Sequence, residues 1–199
     1  RILHIHPDER MANKFIMPLI KHEILLGYTS KLLVFKKYSN NSSVLYCNLN
    51  VLNLALPIQS IKFLFILFRY KPDIVYFHNS LQSTIPLILS KICKIHKKIY
   101  FNHGLPYLGY KSLLRTVLFN IEKLNAFLSN LTVSVSDEMK KKLDVIKPNT
   151  ILIHNGSACG VELINSTNLK NKNLKKNIIN IAYVGRLKKR KGALILGDI

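Results

Sequence analysis

"KKIYFNHGLPYLGY", residues 97–110, decides how the fold is read. Lys97 to Asn102 make a short run with an apolar centre, and the chain then turns through Asn102, His103 and Gly104. A brief apolar run that ends in polar residues and a glycine suits a strand buried inside a parallel sheet. Working outward, the same unit recurs. "ILHIH" (2–6), "KLLVF" (31–35), "DIVYFH" (73–78), "LTVSVS" (131–136), "TILIHN" (150–155) and "INIAYVG" (179–185) are further strand candidates. Helical patterns fall between them at 12–26, 58–70, 82–94, 111–129 and 137–143. This alternation predicts an α/β fold, a Rossmann-like doubly wound parallel sheet.

Local signals fit that reading. Pro18 and Pro86 fall inside two helical patterns and should kink them or mark their first turns. In "SVSDEMKKKL" Ser136 can cap a helix, Asp137 and Glu138 suit its positive end, and Lys140 to Lys142 suit its negative end. Residues 165–177, "NSTNLKNKNLKKN", lack aliphatic periodicity and read as a linker. The expected organisation is therefore a first domain over 1–164, a linker over 165–177, and over 178–199 the strand–turn–helix start of a second domain. The chain opens on Arg and carries no signal-peptide pattern, so it reads as numbered from inside a longer frame.

Composition narrows the class. The chain has 199 residues, 48% of them hydrophobic, and a mean hydropathy of +0.14, values for a globular protein. No apolar run reaches the ~20 residues of a membrane span. The formal charge of +20 favours anionic partners such as phosphates or acidic lipid. Lys outnumbers Arg 24 to 6, which does not suit base-edge reading, and nucleic acid is not expected as a partner. Cys47, Cys93 and Cys159 are scattered without metal spacing, which fits a reducing cytoplasm. His4 and His6 share one strand face, but no third ligand accompanies them, so no metal is expected.

In an open parallel sheet, ligands bind beyond the carboxyl ends of the strands. The residues expected at those ends are His6, His78, Asn79, Asn102, His103, Gly104, Ser134, Ser136, Asn155 and Gly156. His103 can hydrogen-bond a sugar hydroxyl or a phosphate oxygen, Gly104 allows close approach, and "LPYLGY" reads as a mobile loop flexing at Gly109. In "VGRLKKRKG" the backbone at Gly185 and Gly192 with the cations of Arg186 and Lys191 suits a diphosphate. The helix 110–130 presents Leu113, Leu114, Val117, Leu118, Ile121, Leu124 and Leu128 on one face, for packing on the sheet or for lying on anionic lipid.

Taken in order, "KPDIVYFHNS", "FNHGLPYLGY", "LTVSVSDEMKKKL", "ILIHNGSACGVE" and "IAYVGRLKKRKG" resemble the family 4 glycosyltransferases of GT-B architecture, above all bacterial members that build capsule, O-antigen or other surface glycans. The resemblance implies a retaining transferase that moves a sugar from a nucleotide donor, often UDP-linked, to a lipid-linked or glycan acceptor without metal or other cofactor. It implies an amino-terminal domain on the acceptor side and a carboxy-terminal domain for the donor. The family's histidine falls on His103, as the catalytic residue near the reacting sugar. Its diphosphate-gripping pair falls on Arg186 and Lys191, with Gly185 and Gly192 beside them. His78, Asn79, Asn102, Gly104, Ser136, Asn155 and Gly156 are the expected substrate-binding residues. The location implied is cytoplasmic, or peripheral on the inner face of the plasma membrane.

The chain departs from the family pattern in three ways. The loop after the first strand, "HPDERMANKF", has no glycine. "NGSACGVE" carries three additional residues and Glu162 where the family has Asp. The downstream carboxylate motif is absent from residues 1–199, so these residues alone are expected to be inactive. Two other readings stay open: a non-catalytic basic module that binds anionic membrane or nucleic acid, and a related GT-B sugar-nucleotide enzyme such as an epimerase.

Overall fold

The structure is a computed structural model that describes residues 1–50, 53–153 and 156. All of them lie in one compact unit, Arg1–Glu162. The expected strand at 179–185, Asn155, and the diphosphate residues Gly185, Arg186, Lys191 and Gly192 lie outside the described residues.

The described strands are β1 (Ile2–Asp8), β2 (Ser30–Lys36), β3 (Val44–Tyr46), β4 (Ile74–His78), β5 (Lys97–Asn102), β6 (Leu131–Ser134) and β7 (Ile151–Leu152). They form one sheet in the order β3-β2-β1-β4-β5-β6-β7, and every pairing is parallel. The helices are α1 (Glu9–Phe15), α2 (Met17–Leu25), α3 (Leu56–Tyr70), α4 (Thr84–Ile92), α5 (Ser112–Leu128) and α6 (Asp137–Asp144). This is the Rossmann-like α/β architecture expected.

Strand periodicity sorts the side chains into two layers. Leu3, Ile5, Val75, Phe77 and Tyr100 point to one face, where Phe63 and Leu67 of α3, Leu87 of α4 and Leu128 of α5 pack on them. Leu32, Val34 and Val44 meet Ala12, Ile16 and Ile20 of α1 and α2 on the other face. Burial on both faces explains why β1, β2, β4 and β5 read as nearly unbroken apolar runs.

Four differences from the sequence reading have local causes. β3 was not expected, because three residues flanked by Asn and Ser lack a strand's periodicity; its pairing with β2 at Leu32, Leu33 and Val34 supplies the register. The helix expected over 12–26 is two helices that meet at Ile16, with Pro18 in the first turn of α2. β1 runs on to Asp8, whose Oδ1 accepts from the Met11 amide at 3.1 Å and caps α1 directly. The segment after β5 is no loose loop, because Leu105 and Tyr107 are buried and pack with Leu118 and Leu143. Ser136 does cap α6, its Oγ accepting from the Met139 amide at 3.3 Å.

α5 presents a different stripe from the one its apolar residues suggested. The buried side chains are Leu118, Glu122, Asn125, Ala126 and Leu128, whereas Leu113, Leu114, Val117 and Leu124 are exposed. The buried face includes two polar residues, and these hold the site.

Candidate functional site

An all-parallel sheet sends all its carboxyl ends to one edge, and the chain reverses its order of strand addition between β1 and β4. Near that edge β1 carries His6 two residues before its end, β4 ends with His78, and β5 ends with Asn102, followed by His103. The register sets His4 beside Tyr76 and His78 beside Phe101, so these rings share one face. His4 stacks on Tyr76 with centroids 4.7 Å apart, and His103 lies on Phe101 at 4.6 Å.

Three of these imidazoles are hydrogen-bonded in series. Glu23 Oε2, on α2, lies 2.9 Å from His4 Nε2 and accepts from Ser30 Oγ at 2.6 Å. His4 Nδ1 lies 3.1 Å from His78 Nε2, and His78 Nδ1 lies 3.1 Å from His103 Nε2. His4 and His78 are fully buried, while His103 reaches the surface. No group among the described residues bonds His103 Nδ1.

Charge is unevenly tolerated along this series. Burial, then the neighbouring imidazoles His4, His103 and His6, pushes the His78 pKa well below the ordinary histidine value. Enclosure of the ring, then the charge of His6, lowers His103 to about 4. Burial also lowers His6, against the opposing pull of the Asp8 carbonyl and carboxylate. At Glu23 burial acts upward, but the hydrogen bonds from His4 and Ser30 and the charges of His4 and His22 outweigh it, and the carboxyl sits below its ordinary value.

The other side of the β5 terminus is held by Glu122 of α5, which is fully buried. It accepts from Tyr100 Oη at 2.7 Å, from Asn102 Nδ2 at 3.0 Å, and from Ser80 Oγ. Asn102 Oδ1 accepts in turn from the Gly104 amide at 2.8 Å, so Glu122 fixes the turn that carries His103. Burial raises the Glu122 pKa, partly offset by the hydrogen bonds from Ser80, Tyr100 and Asn102.

The remaining expected residues divide. The side chains of His78 and Asn102, both expected to bind substrate, are buried and hydrogen-bonded to His103 Nε2 and to the Gly104 amide respectively. Gly104 has none of the described residues within 4 Å of where a Cβ would sit. Asn79, at φ 126°, occupies a backbone region that disfavours a side chain, and its carbonyl accepts from Ser83 Oγ. Gly156, at φ 101°, lies against the Ser136 backbone, 3.8 Å from a Cβ position to Ser136 Cα. Asn79, His103, Gly104, Ser136 and Gly156 therefore all follow carboxyl ends of the sheet.

The same edge holds a cleft of about 650 Å³ beside β1, β2 and β3, lined among others by Lys36, Tyr38, Asn40, Asn48 and Gln82. The loop that lacks glycine builds its wall. Glu9, buried, accepts from the Ser39 amide at 2.9 Å, from the Tyr38 amide and from Ser39 Oγ, while Tyr38 Oη donates to Asp8 Oδ2 at 3.0 Å. Burial opposes the Glu9 charge, but these three donors hold its carboxyl below the usual range. The sequence reading missed this cleft, Glu23 and Glu122; cations and amides at the end of β2, "KKYSNN", are the signal for the cleft. Among the described residues, no group of three or more His, Cys, Asp or Glu could hold a metal ion, and no helix is long and apolar enough to cross a membrane.

No family model matches the chain, and no curated protein matches it. Solved structures share the fold. A UDP-GlcNAc 2-epimerase from Methanocaldococcus jannaschii is similar over 78% of this chain and 46% of its own, with a TM-score of 0.54 and 13% identity. A Listeria monocytogenes protein named as a UDP-N-acetylglucosamine 2-epimerase is similar over 75% of this chain and 43% of its own, with a TM-score of 0.53 and 13% identity. A lipopolysaccharide outer core galactosyltransferase, WaaB, gives a TM-score of 0.49 at 12% identity over 73% of this chain and 42% of its own. In each case the match spans less than half of the neighbour's length. The fold shared with the first two structures is the Rossmann-like parallel α/β sheet.

Proposed function

We propose that the protein is a retaining glycosyltransferase that moves a sugar from a nucleotide donor, UDP-linked, to a lipid-linked or glycan acceptor of a bacterial surface polysaccharide such as capsule or lipopolysaccharide. The observation that carries this reading is the position of His103. It follows β5, beside the strand that borders the order switch of a parallel sheet and next to Gly104, with Nε2 bound inward to His78 and no described residue bonded to Nδ1. A group so placed can hydrogen-bond the reacting sugar or the attacking acceptor hydroxyl.

In this proposal residues 1–164 are the acceptor-side domain, 165–177 a linker and 178–199 the opening of the donor-side domain. Arg186 and Lys191, with Gly185 and Gly192, hold the donor diphosphate and balance charge on the departing nucleotide. The cleft beside β1–β3 takes the acceptor: amides at Asn40, Asn48 and Gln82 suit sugar hydroxyls, and Lys36 suits a phosphate. Asn79, Gly104, Ser136 and Gly156 complete the rim, Asn155 is proposed as a further substrate-binding residue, and no cofactor is required. A sugar-nucleotide 2-epimerase is the second reading, favoured by the fold likeness alone.

The test is turnover by the protein expressed from its complete reading frame, with UDP-galactose, UDP-glucose and UDP-GlcNAc, with and without lipid-linked acceptor. UDP release that requires acceptor, with retained anomeric configuration in the product, is the expected result. Inversion at C2 of UDP-GlcNAc without acceptor supports the epimerase, and no consumption of any donor contradicts both.

The proposed location is the cytoplasm or the inner face of the plasma membrane, where α3 is proposed as an anchor beside α5. Ile58, Ile61, Phe65 and Phe68 stand exposed at positions that share one helical face, with Lys62, Arg69 and Lys71 near them. A basic amphipathic helix of this kind binds anionic lipid. In flotation assays the chain should rise with phosphatidylglycerol vesicles and far less with phosphatidylcholine vesicles. Phe65→Ser with Phe68→Ser should lower recovery several-fold; equal recovery on both lipids would remove the electrostatic attraction.

A further inference from the structure

We propose that Glu23, His4 and His78 form a buried proton relay that sets whether the outward nitrogen of His103 accepts or donates a hydrogen bond. The inference stands on the geometry of the series and does not depend on the sugar-transfer reading.

The order of partners fixes the tautomers. A carboxylate at Glu23 accepts, so His4 Nε2 carries a proton. With His4 neutral, its Nδ1 must accept, so His78 donates from Nε2. His78 Nδ1 then accepts, and His103 donates from Nε2. His103 Nδ1 is left with a lone pair facing outward. In this state His103 can accept from a sugar hydroxyl.

Adding one proton reverses the series without turning a ring. The proton binds His103 Nδ1. The proton on His103 Nε2 passes to His78 Nδ1, and the one on His78 Nε2 passes to His4 Nδ1. His4 keeps its Nε2 proton toward Glu23 and now carries the charge. His103 is neutral again but presents an N–H, which suits a phosphate or carboxylate oxygen. Burial disfavours charge at His78 and His103, whereas His4 is the ring in direct contact with an anion. The charge therefore settles at the buried end, and the surface end changes only its polarity.

Among the described residues, these groups face the series. His6 of β1 faces His78 and His103, Tyr76 of β4 and Phe101 of β5 supply ring faces, and Ser30 of β2 donates to Glu23. His22 of α2 and Tyr70 of α3 are the further ionisable groups that sense the Glu23 charge.

The experiment is a pH titration of the imidazole ¹⁵N signals of the 199-residue chain. At neutral pH and above, His78 and His103 are expected with Nε2 protonated and Nδ1 bare. On acidification, Nδ1 of His78 and His103 should gain proton character together, at one midpoint. Glu23→Gln still accepts from His4 but removes the anion, so it should preserve the tautomers and move that midpoint down by about 1–3 pH units. In His78→Phe, the His103 signal should no longer respond to Glu23→Gln. Separate midpoints in the unmodified chain, a protonated His103 Nδ1 at neutral pH, or a midpoint unmoved by Glu23→Gln would each overturn the relay. A purely structural Glu23 would change the melting temperature and leave the midpoint in place. Should Glu23→Gln fail to fold, the titration of the unmodified chain decides alone.

Discussion

Glu122→Ala is expected to bring the protein close to unfolding. The substitution strands the Ser80 and Tyr100 hydroxyls and the Asn102 amide, all of them buried, around a cavity. Each stranded buried donor costs about 1–3 kcal/mol, and with partial rearrangement the total should be about 3–5 kcal/mol. Domains of this kind have only about 5–15 kcal/mol in hand, so the urea midpoint should fall steeply. Glu122→Gln keeps one acceptor oxygen and should lose less.

The same pair yields a pH signature with a definite sign. Burial raises the Glu122 pKa, so the folded chain binds this proton more tightly than the unfolded one. The resulting contribution to stability is full below the ordinary glutamate value and declines as pH rises through the raised folded value. The carboxylates held low, Glu9 and Glu23, act in the opposite direction, so the term is read as the difference between the unmodified chain and Glu122→Gln. That difference should shrink from acid toward neutral pH; a difference independent of pH would show that Glu122 titrates as it does in the unfolded chain.

His103→Ala is expected to leave the fold intact and remove most of the activity. The ring is at the surface, and its loss strands only the Nδ1 of His78. A hydrogen-bonding group aimed at a reacting centre contributes about 10²–10³-fold to turnover. Turnover of the protein expressed from its complete reading frame should drop by about that factor, while the melting temperature falls by only a few degrees. His103→Asn sets an amide near the Nδ1 position and should recover part of the rate if the role is hydrogen bonding. Full activity in His103→Ala would place the chemistry elsewhere.

How much of this was legible in the sequence depends on where burial and apolarity coincide. β5 was readable because Ile99, Tyr100 and Phe101 sit between two covered faces; β3 was not, because three residues carry no periodicity and its register comes from the neighbouring β2. His103 was readable because a polar residue followed an apolar run. Its partners Glu23 and Glu122 were not, because each belongs to a helix and meets the sheet only after the chain crosses over. A polar residue on a helix is read as facing water, and that assumption rotated the inferred face of α5 away from Glu122 and Asn125. The scarcity of acidic residues, 10 in 199, was the available clue: Glu23 and Glu122 are two of the few carboxylates in a chain rich in lysine.

The central claim is that the carboxyl edge of the sheet around His103 receives the sugar substrate. Backbone amide NMR of the 199-residue chain, titrated with UDP-sugars and with acceptor oligosaccharide, tests it most directly. The account predicts shift changes at Asn79, His103, Gly104, Ser136 and Gly156 and in the cleft at Lys36 to Asn40. Changes confined to the opposite edge, at the hollow of about 360 Å³ lined by Arg1, Lys71, Asp73 and His96, or no change at the His103 rim at saturating ligand, would contradict it.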